Sequence, residues 1–187
     1  MRIIAGDFRG RALASVGKGD ASAHLRPTTD RTRESLFNIL AGGRFDDPIT
    51  DARVLDLFAG TGALGLEALS RGATHATFVD DGQKSLSLLR QNIDICRAFD
   101  ATTIIRRDAR KLPANPSEPY DLIFLDPPYG KSLGEAALAA AQSGNWIAPD
   151  ALIVWEENTA ITPPAGFEPL DSRRYGDTTI TLLHASE

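Results

Sequence analysis

Residues 53–72, RVLDLFAGTGALGLEALSRG, join a short apolar strand to a helix through a glycine-rich turn. RVLDLFAG has the apolar character of a buried strand, and ALGLEALSRG is typical of a helix that ends at Gly72. Gly60, Gly62 and Gly65 form a G-x-G-x-x-G pattern at the junction. Glycines in such a turn let the backbone pass close to a ligand, and the helix start offers amides that lack intrahelical partners. The stretch therefore predicts the first unit of a nucleoside-binding α/β fold.

Strand-like and helix-like segments alternate from residue 52 onward. The predicted strands are RVLDLFAG, ATFVD, ATTIIRRDA, YDLIFLD, ALIVWEE, FEPLDSRRYG and TTITLLH. Such alternation predicts a mostly parallel, seven-stranded sheet with helices on both faces. The last two strands meet at Gly176-Asp177, which leaves no room for a crossover helix, so we expect them to be antiparallel neighbours and the last strand to be antiparallel in the sheet.

The first 45 residues do not follow this alternation of strands and helices. RIIAG and RALASV flank the turn DFRG, which favours a hairpin. TTDRTRESLFNILAG is typical of a helix that Thr28 or Thr29 caps and that Gly42-Gly43 end. We therefore expect one domain over residues 1–187, with a hairpin and helix in 1–45 and the cofactor-binding and catalytic core in 52–184.

The composition is that of an ordinary globular protein, with 187 residues, 42% hydrophobic and 24% charged. Charges in MRIIAGDFRG argue against a signal peptide, and the apolar stretches are too short to span a membrane. One cysteine excludes a disulfide framework, and His24, His75 and His184 lack metal-ligand spacing. We expect a cytoplasmic protein without membrane contact and without a metal ion.

The charge is distributed unevenly along the chain. The net charge is −5, yet residues 1–44 hold eight Arg and Lys against four acids. A basic segment on an acidic body favours an anionic partner. Chance clustering on a solvated surface explains the charge pattern equally well.

Three aspartates lie near the carboxyl ends of predicted strands, at one edge of the sheet. Asp80 comes 20 residues after Gly60, where a carboxylate can bind ribose hydroxyls. Asp56 stands before the glycine turn, where its charge would repel the pyrophosphate of NAD but attract an ammonium or sulfonium group. That preference indicates S-adenosylmethionine. Asp108 can accept a hydrogen bond from an adenine amino group, or can simply cap a helix.

The stretch LIFLDPPYG, residues 122–130, ends a buried strand with an acid, two prolines and an aromatic ring. Pro127 and Pro128 fix the backbone and remove two donors, so carbonyl groups there are available as acceptors. Asp126 adds a second acceptor, and two converging acceptors suit an exocyclic NH2 group. Tyr129 offers a flat ring on which a base can stack. We interpret the stretch as a pocket for the amino group of a nucleobase, in which the ring of Tyr129 rather than its hydroxyl carries the role.

Asp126-Pro127-Pro128-Tyr129 matches the (D/N)PP(Y/F) motif of S-adenosylmethionine-dependent amino-methyltransferases, and VLDLFAGTGALGLEALSRGA resembles their cofactor motif. RIIAGDFRGRAL and RPTTDRTRESLFNIL resemble the N-terminal signature of the bacterial small-subunit ribosomal RNA guanine-N2 methyltransferases, the RsmD-like family. The resemblance covers nearly the whole chain. One departure is Asp80, where the family more often has Glu.

The resemblance implies a Rossmann-like class I methyltransferase that uses S-adenosylmethionine to methylate a guanine N2 of small-subunit (16S) ribosomal RNA within a ribosomal particle. Asp126 to Tyr129 become the catalytic loop, and Arg26 and Thr28 border the methionine end of the cofactor. Arg2, Arg9 and Arg11 belong to a hairpin suited to RNA phosphates. The implied cofactor ligands are Asp56, Phe58, Ala59, Gly60, Gly62, Asp80 and Asp108.

Three alternatives remain open from the sequence. An amino-methyltransferase acting on adenine N6 or on DNA would share the DPPY motif. A non-catalytic RNA-binding assembly factor could use the same scaffold. An NAD-dependent oxidoreductase would share the glycine turn but would leave Asp56 and the DPPY motif unexplained.

Overall fold

The computed structural model describes residues 1–15 and 29–186 and contains a seven-stranded sheet flanked by four helices. The helices are α1 (Asp30–Leu40), α2 (Ala63–Ser70), α3 (Gln83–Cys96) and α4 (Leu133–Ser143). The strands are β1 (Arg53–Leu57), β2 (His75–Asp80), β3 (Thr102–Arg106), β4 (Tyr120–Leu125), β5 (Ile147–Glu157), β6 (Phe167–Tyr175) and β7 (Thr178–Ala185). Within these described residues, no helix has the length and apolar character needed to cross a membrane.

The strand order is β3-β2-β1-β4-β5-β7-β6, and β7 alone runs against its neighbours. The predicted mostly parallel sheet with an antiparallel last strand is therefore confirmed. The strand order reverses between β1 and β4, which pair in parallel from Val54 and Leu122 onward. Ligands of open α/β sheets bind at the carboxyl ends of the strands beside such a reversal. The ends of β1 and β4 are therefore where the fold places a site.

The sheet buries both of its faces. One face packs Val54 and Phe124 against apolar side chains of α1, α2 and α3. The opposite face packs Leu55, Leu57 and Trp155 mainly against α4. Central parallel strands covered on both sides need nearly continuous apolar sequence, as RVLDL and LIFL have.

The N-terminal segment folds back on itself but forms no regular strands within residues 1–15. One antiparallel bridge joins Arg2 to Ala12, and the amide of Ile3 donates to the carbonyl of Arg11 at 3.0 Å. Side chains of Ile3 and Leu13 enter the core beside α2 and α3. The predicted hairpin is thus present as a chain reversal, because six of its amides bond to groups of α1, α2 and α3 rather than to a second strand; they belong to Arg2, Ile4, Ala5, Asp7, Phe8 and Ala14.

Helix α1 follows the expectation for its start. Thr29 is the N-cap, and its hydroxyl oxygen accepts from the amide of Thr32 at 3.2 Å. Leu36, Phe37 and Leu40 are buried on one side of the helix. Helix α1 therefore packs one apolar face on the sheet.

Candidate active site

A cleft lies at the carboxyl ends of β1 to β4. Its walls contain four residues predicted for the site, Phe58, Asp80, Asp108 and Pro128. They come from four different strand ends, which the parallel sheet brings to a common edge. The remaining lining residues are Val79, Asp81, Arg107, Ala109, Arg110 and Leu133.

The turn between β1 and α2 contains three residues with left-handed backbone angles, a conformation that glycine adopts more readily than other residues. Phe58, Gly60 and Gly62 have φ values of 60°, 56° and 78°, in the left-handed region. A Cβ atom on Gly62 would stand 2.4 Å from Cδ1 of Leu89, so a side chain there would force the Leu89 side chain to shift. The amide of Ala59 donates to the carbonyl of Val79 at 3.1 Å and ties the turn to β2. Phe58 is thereby held with its side chain in the cleft wall.

Asp80 connects the glycine turn to the start of α3. Its Oδ2 accepts from the amide of Gly60 at 2.9 Å, and its Oδ1 accepts from the amide of Gly82 at 2.8 Å. Burial raises the pKa of this carboxyl, and the hydrogen bonds from Gly60, Gly82 and Ser85 oppose the rise. Each carboxylate oxygen has two acceptor positions, so Asp80 can bind further donors without releasing the backbone.

Asp56 lies in the interior rather than in the cleft wall. Its side chain is 1% exposed, and its Oδ2 accepts from the amide of Gly65 at 3.1 Å. Burial raises the pKa of Asp56 to about 8, with a smaller contribution from the charge of Asp80. The carboxyl is therefore mostly neutral at pH 7. The attraction to a sulfonium that we inferred from the sequence needs an ionised group at the mouth of the turn, and this geometry does not provide one.

Asp108 lines the cleft and also caps a short 3-10 helix, Ala109–Lys111. Its Oδ1 accepts from the amide of Arg110 at 2.9 Å, and its Oδ2 accepts from the Arg110 guanidinium at 2.6 Å. These hydrogen bonds from Arg110 hold the pKa of Asp108 below its ordinary value. The capping role considered for Asp108 is thus confirmed, and its position in the wall keeps it available to a ligand.

The DPPY loop continues β4 past the end of the sheet. The amide of Asp126 still donates to the carbonyl of Leu57 at 3.4 Å, which keeps the loop beside β1. Pro127 is buried and anchors the loop, whereas Pro128 is exposed at the cleft. Asp126 and Tyr129 are half-buried. The loop therefore lies next to the glycine turn, because the two follow the paired strands β4 and β1.

The Tyr129 hydroxyl has two partners that no sequence motif indicates. It donates to Oε1 of Glu156 at 2.7 Å and lies 3.2 Å from the hydroxyl of Thr178. Burial and the nearby carboxylates raise the pKa of Tyr129 above its ordinary value. Glu157 accepts from the amide of Gly130 at 3.3 Å. The sequence VWEEN could have indicated both glutamates, because two acids end an otherwise apolar strand, β5, which pairs with β4.

The predicted RNA contacts do not cluster at the cleft. Arg2 and Arg9 are exposed. Arg11 donates to the carbonyl of Ile95 at 3.1 Å and also to that of Cys96, at the last turn of α3. Because α3 leads into the amino end of β3, Arg11 lies toward the edge of the sheet opposite the DPPY loop. Arg26 and Thr28 lie outside the described residues.

Comparison with known proteins gives consistent matches. The family model described as "Conserved hypothetical protein 95" matches residues 1–184. The chain is 40% identical over 170 residues to ribosomal RNA small subunit methyltransferase D of Escherichia coli (strain K12), covering 89% of this chain and 81% of that protein. It is 36% identical over 167 residues to the putative rRNA methyltransferase YlbH of Bacillus subtilis (strain 168), covering 88% and 86%. The solved structure of the putative methyltransferase yhhF from Escherichia coli superimposes with a TM-score of 0.83 at 36% identity, covering 100% of this chain and 98% of that chain.

Proposed function

The chain belongs to the family described as Conserved hypothetical protein 95, the RsmD-like methyltransferases, and on this premise we propose that it methylates the exocyclic N2 amino group of a guanine in small-subunit (16S) ribosomal RNA. The proposed methyl donor is S-adenosylmethionine. One observation carries the proposal: the DPPY loop contributes Pro128 to the same cleft that contains Asp80. The loop that carries the proposed amino-group acceptors thus reaches the cleft that contains the proposed ribose acceptor.

The residues around the glycine turn fit a nucleoside cofactor that has no pyrophosphate. Asp80 stands in the wall with acceptor positions left for ribose hydroxyls. Gly65, in the first turn of α2, already donates its amide to Asp56, which removes one of the groups that a pyrophosphate would use. Bound S-adenosylmethionine would supply an activated methyl group on sulfur. We propose that Phe58, Ala59, Gly60, Gly62, Asp80 and Asp108 hold it, with Arg26 and Thr28 at its methionine end and Asp56 acting through Gly65.

The DPPY loop is proposed to bind and orient the amino group. The guanine N2 lone pair is delocalised into the ring, so the nitrogen is a weak nucleophile. The carboxylate of Asp126 and the carbonyl of Pro127 accept its hydrogens and favour a tetrahedral nitrogen. The same oxygens would stabilise the positive charge that develops as the new N–C bond forms and the C–S bond of the donor breaks, and the nitrogen would then release one proton to water. Tyr129 provides the surface on which the base stacks.

Placement of the two reacting groups contributes much of the expected rate enhancement. Well-oriented reactants gain roughly 7–11 kcal/mol relative to free reactants. The rigid edge of the sheet supports such placement, because β1 and β4 are paired directly beneath the glycine turn and the DPPY loop. We also propose that residues 1–187 form a single methyltransferase domain, since Ile3 and Leu13 share a core with α2 and α3.

Mass mapping of methylated nucleosides in 16S ribosomal RNA tests the proposal. Cells that lack this protein should lose one N2-methylguanosine, and the wild-type gene should restore it. An Asp126→Ala gene should not restore it. Loss of an N6-methyladenosine instead would favour the adenine alternative, and unchanged ribosomal RNA would reject the proposed substrate. In vitro transfer to small subunits but not to naked 16S RNA would place the substrate within a ribosomal particle.

A further inference from the structure

We propose that Glu156 and Thr178 are positioning residues that fix the ring of Tyr129 through its hydroxyl and thereby set the rate of methyl transfer. This inference rests on the proposed function, because it assigns the ring of Tyr129 to base stacking. Neither residue belongs to a motif of the sequence. Both act through Tyr129 rather than by contact with the reacting atoms.

The three side chains come from three separate parts of the sheet. Tyr129 follows β4, Glu156 lies near the end of β5, and Thr178 begins β7. In the strand register, Glu156 pairs with Ile180, two residues from Thr178. Side chains two residues apart on a strand point to the same face, so Glu156 and Thr178 approach the hydroxyl from one side. The geometry is fixed by strand pairing rather than by the DPPY loop itself.

The Glu156 contact is short and shielded from water. The hydroxyl and Oε1 of Glu156 are 2.7 Å apart, and Glu156 is 7% exposed. Hydrogen bonds to an ionised carboxylate are roughly twice as strong as neutral ones, and low exposure strengthens them further. The raised pKa of Tyr129 agrees with a hydroxyl that stays protonated beside a carboxylate. A phenylalanine ring at this position would fill the same space without this restraint.

The next residue holds the backbone of the same loop. Oε1 of Glu157 accepts from the amide of Gly130 at 3.3 Å and from the amide of Asn158 at 2.9 Å. Successive side chains of a strand point to opposite faces of the sheet. Glu156 and Glu157 therefore hold the ring and the backbone of the loop from the two faces. This arrangement explains why two acids occupy the buried end of β5.

Methyl transfer in a single turnover tests the inference. The substrate is small ribosomal subunits from cells that lack this protein, with methyl-tritiated S-adenosylmethionine as donor, both saturating. Loss of a hydrogen bond to a charged group should slow Tyr129→Phe by about 10- to 100-fold. Glu156→Gln should slow the reaction less. The double variant should be no slower than Tyr129→Phe, because Glu156 acts through the hydroxyl.

Matched variants separate positioning from general damage. Thr178→Val should slow the reaction, whereas Thr178→Ser keeps the hydroxyl and should restore the wild-type rate. Affinity for S-adenosylhomocysteine should match wild type for Tyr129→Phe and Glu156→Gln, and both variants should remain folded at the assay temperature even though they lose a buried hydrogen bond. Additive losses in the double variant, or losses that parallel cofactor affinity, would overturn the positioning role.

A measurement without RNA distinguishes this inference from the proposed function. The chain has three tyrosines, so a ¹³Cζ-tyrosine spectrum of the full protein identifies Tyr129 by its absence in Tyr129→Phe. Glu156→Gln should shift this resonance and lower the pH at which it titrates. An unchanged resonance would overturn the contact even if wild type methylates the subunits. A shifted resonance in a protein that transfers no methyl group to the subunits would instead reject the proposed function, and the positioning role with it.

Discussion

Side chains of one type perform different physical tasks at the edge of this sheet. Asp56 is buried and mostly neutral at pH 7, Asp80 bridges two backbone segments, and Asp108 is paired with Arg110. The pKa of the carboxyl is raised where burial dominates, as in Asp56, and lowered where a guanidinium dominates, as in Asp108. The surroundings of each aspartate, rather than its order in the chain, therefore decide its charge.

Replacement of Asp56 by asparagine should change how stability depends on pH. The carboxyl has an ordinary pKa of 3.8 and a pKa of about 8 in the folded protein. Between these values the folded state holds a proton that the unfolded state has lost, so wild type should lose stability as the pH rises. Asparagine does not titrate. Urea unfolding at pH 5 and pH 8 should show a larger loss for wild type than for Asp56→Asn, and parallel losses would contradict the buried neutral carboxyl.

Replacement of Asp80 by alanine should weaken cofactor binding. The change removes the proposed acceptor for the ribose and also releases the amides of Gly60 and Gly82. Loss of hydrogen bonds to a charged group predicts about 1–3 kcal/mol of lost binding free energy. Calorimetry with S-adenosylhomocysteine measures it, and Asp81→Ala, a neighbouring acid in the same wall, is the control. Unchanged affinity in Asp80→Ala would remove Asp80 from the cofactor site.

Replacement of Asp126 by alanine should abolish most of the turnover while cofactor affinity is retained. Removal of one preorganised polar group from a reacting centre costs about 10²–10³ in rate. Asp126→Asn keeps a carbonyl acceptor and should retain much more activity, as the (D/N) position of the motif suggests. Single-turnover rates at saturating substrate measure both. Equal, mild losses for the two variants would reject the amino-group pocket.

At the scale of elements, α2 is the helix to which the N-terminal segment is attached. Glu67 is fully buried, and its carboxylate accepts from the amides of Ile4 at 2.8 Å and Ala5 at 3.1 Å. It also pairs with Arg71 at 2.8 Å and faces Arg33 at 3.8 Å. The same helix begins at the glycine turn. One carboxylate therefore links the N-terminal segment to the element that forms the cofactor site.

Replacement of Glu67 by alanine should destabilise the protein strongly. Removing one member of a buried ion pair leaves its partner uncompensated, which costs about 3–5 kcal/mol. Glu67→Gln keeps an acceptor and should cost less, and Asp30→Ala removes the partially exposed partner of Arg33 and should also cost less. Urea unfolding measures the free energies, and hydrogen exchange should show faster exchange of the Ile4 amide in Glu67→Ala. A cost below that of Asp30→Ala would contradict this account of α2.

At the scale of the whole molecule, several basic side chains of residues 1–44 are buried or already bound to other parts of the protein. Arg33 is completely buried, Arg11 is bonded to the end of α3, and Arg44 pairs with Asp171 on β6 at 3.1 Å. Arg9 remains exposed near Ser70, the last residue of α2, which accepts from the amide of Phe8. With about 1.5 Å per helical residue, α2 separates this region from the glycine turn by roughly 12 Å. An RNA that contacts both must extend along the α2 side of the molecule.

Removal of Arg9 should therefore affect long RNA more than short RNA. Each phosphate contact that is lost should reduce the slope of log affinity against log salt by about 0.7–0.9. We expect this reduction for Arg9→Ala with small ribosomal subunits and none with a short hairpin that reaches only the cleft. Arg44→Ala, which removes the same charge elsewhere, should leave both slopes near wild type. Equal slopes for Arg9→Ala and wild type on subunits would exclude Arg9 as an RNA contact.

The sequence by itself determined the sheet and the location of the site. Alternating strands and helices with short connections permit few topologies other than a parallel sheet. Strand ends of a parallel sheet meet at one edge, so the glycine turn, Asp80 and the DPPY loop had to converge once their strands were recognised. The cap at Thr29 and the antiparallel β7 follow from equally local rules, because capping and hairpin connections depend on residues near one another in the chain.

The tertiary structure alone decided which polar groups are buried and which residues they meet. Asp56, Arg33 and Glu67 are the same residue types that elsewhere face water, and only packing of distant segments encloses them. Tyr129 meets Glu156 and Thr178 across 27 and 49 residues of sequence. Such contacts depend on the register and order of whole strands, which the alternation of apolar and polar residues within one strand does not specify. The position of the ligand-binding edge could therefore be predicted from local sequence patterns. The residues that hold its side chains could be identified only from the folded sheet.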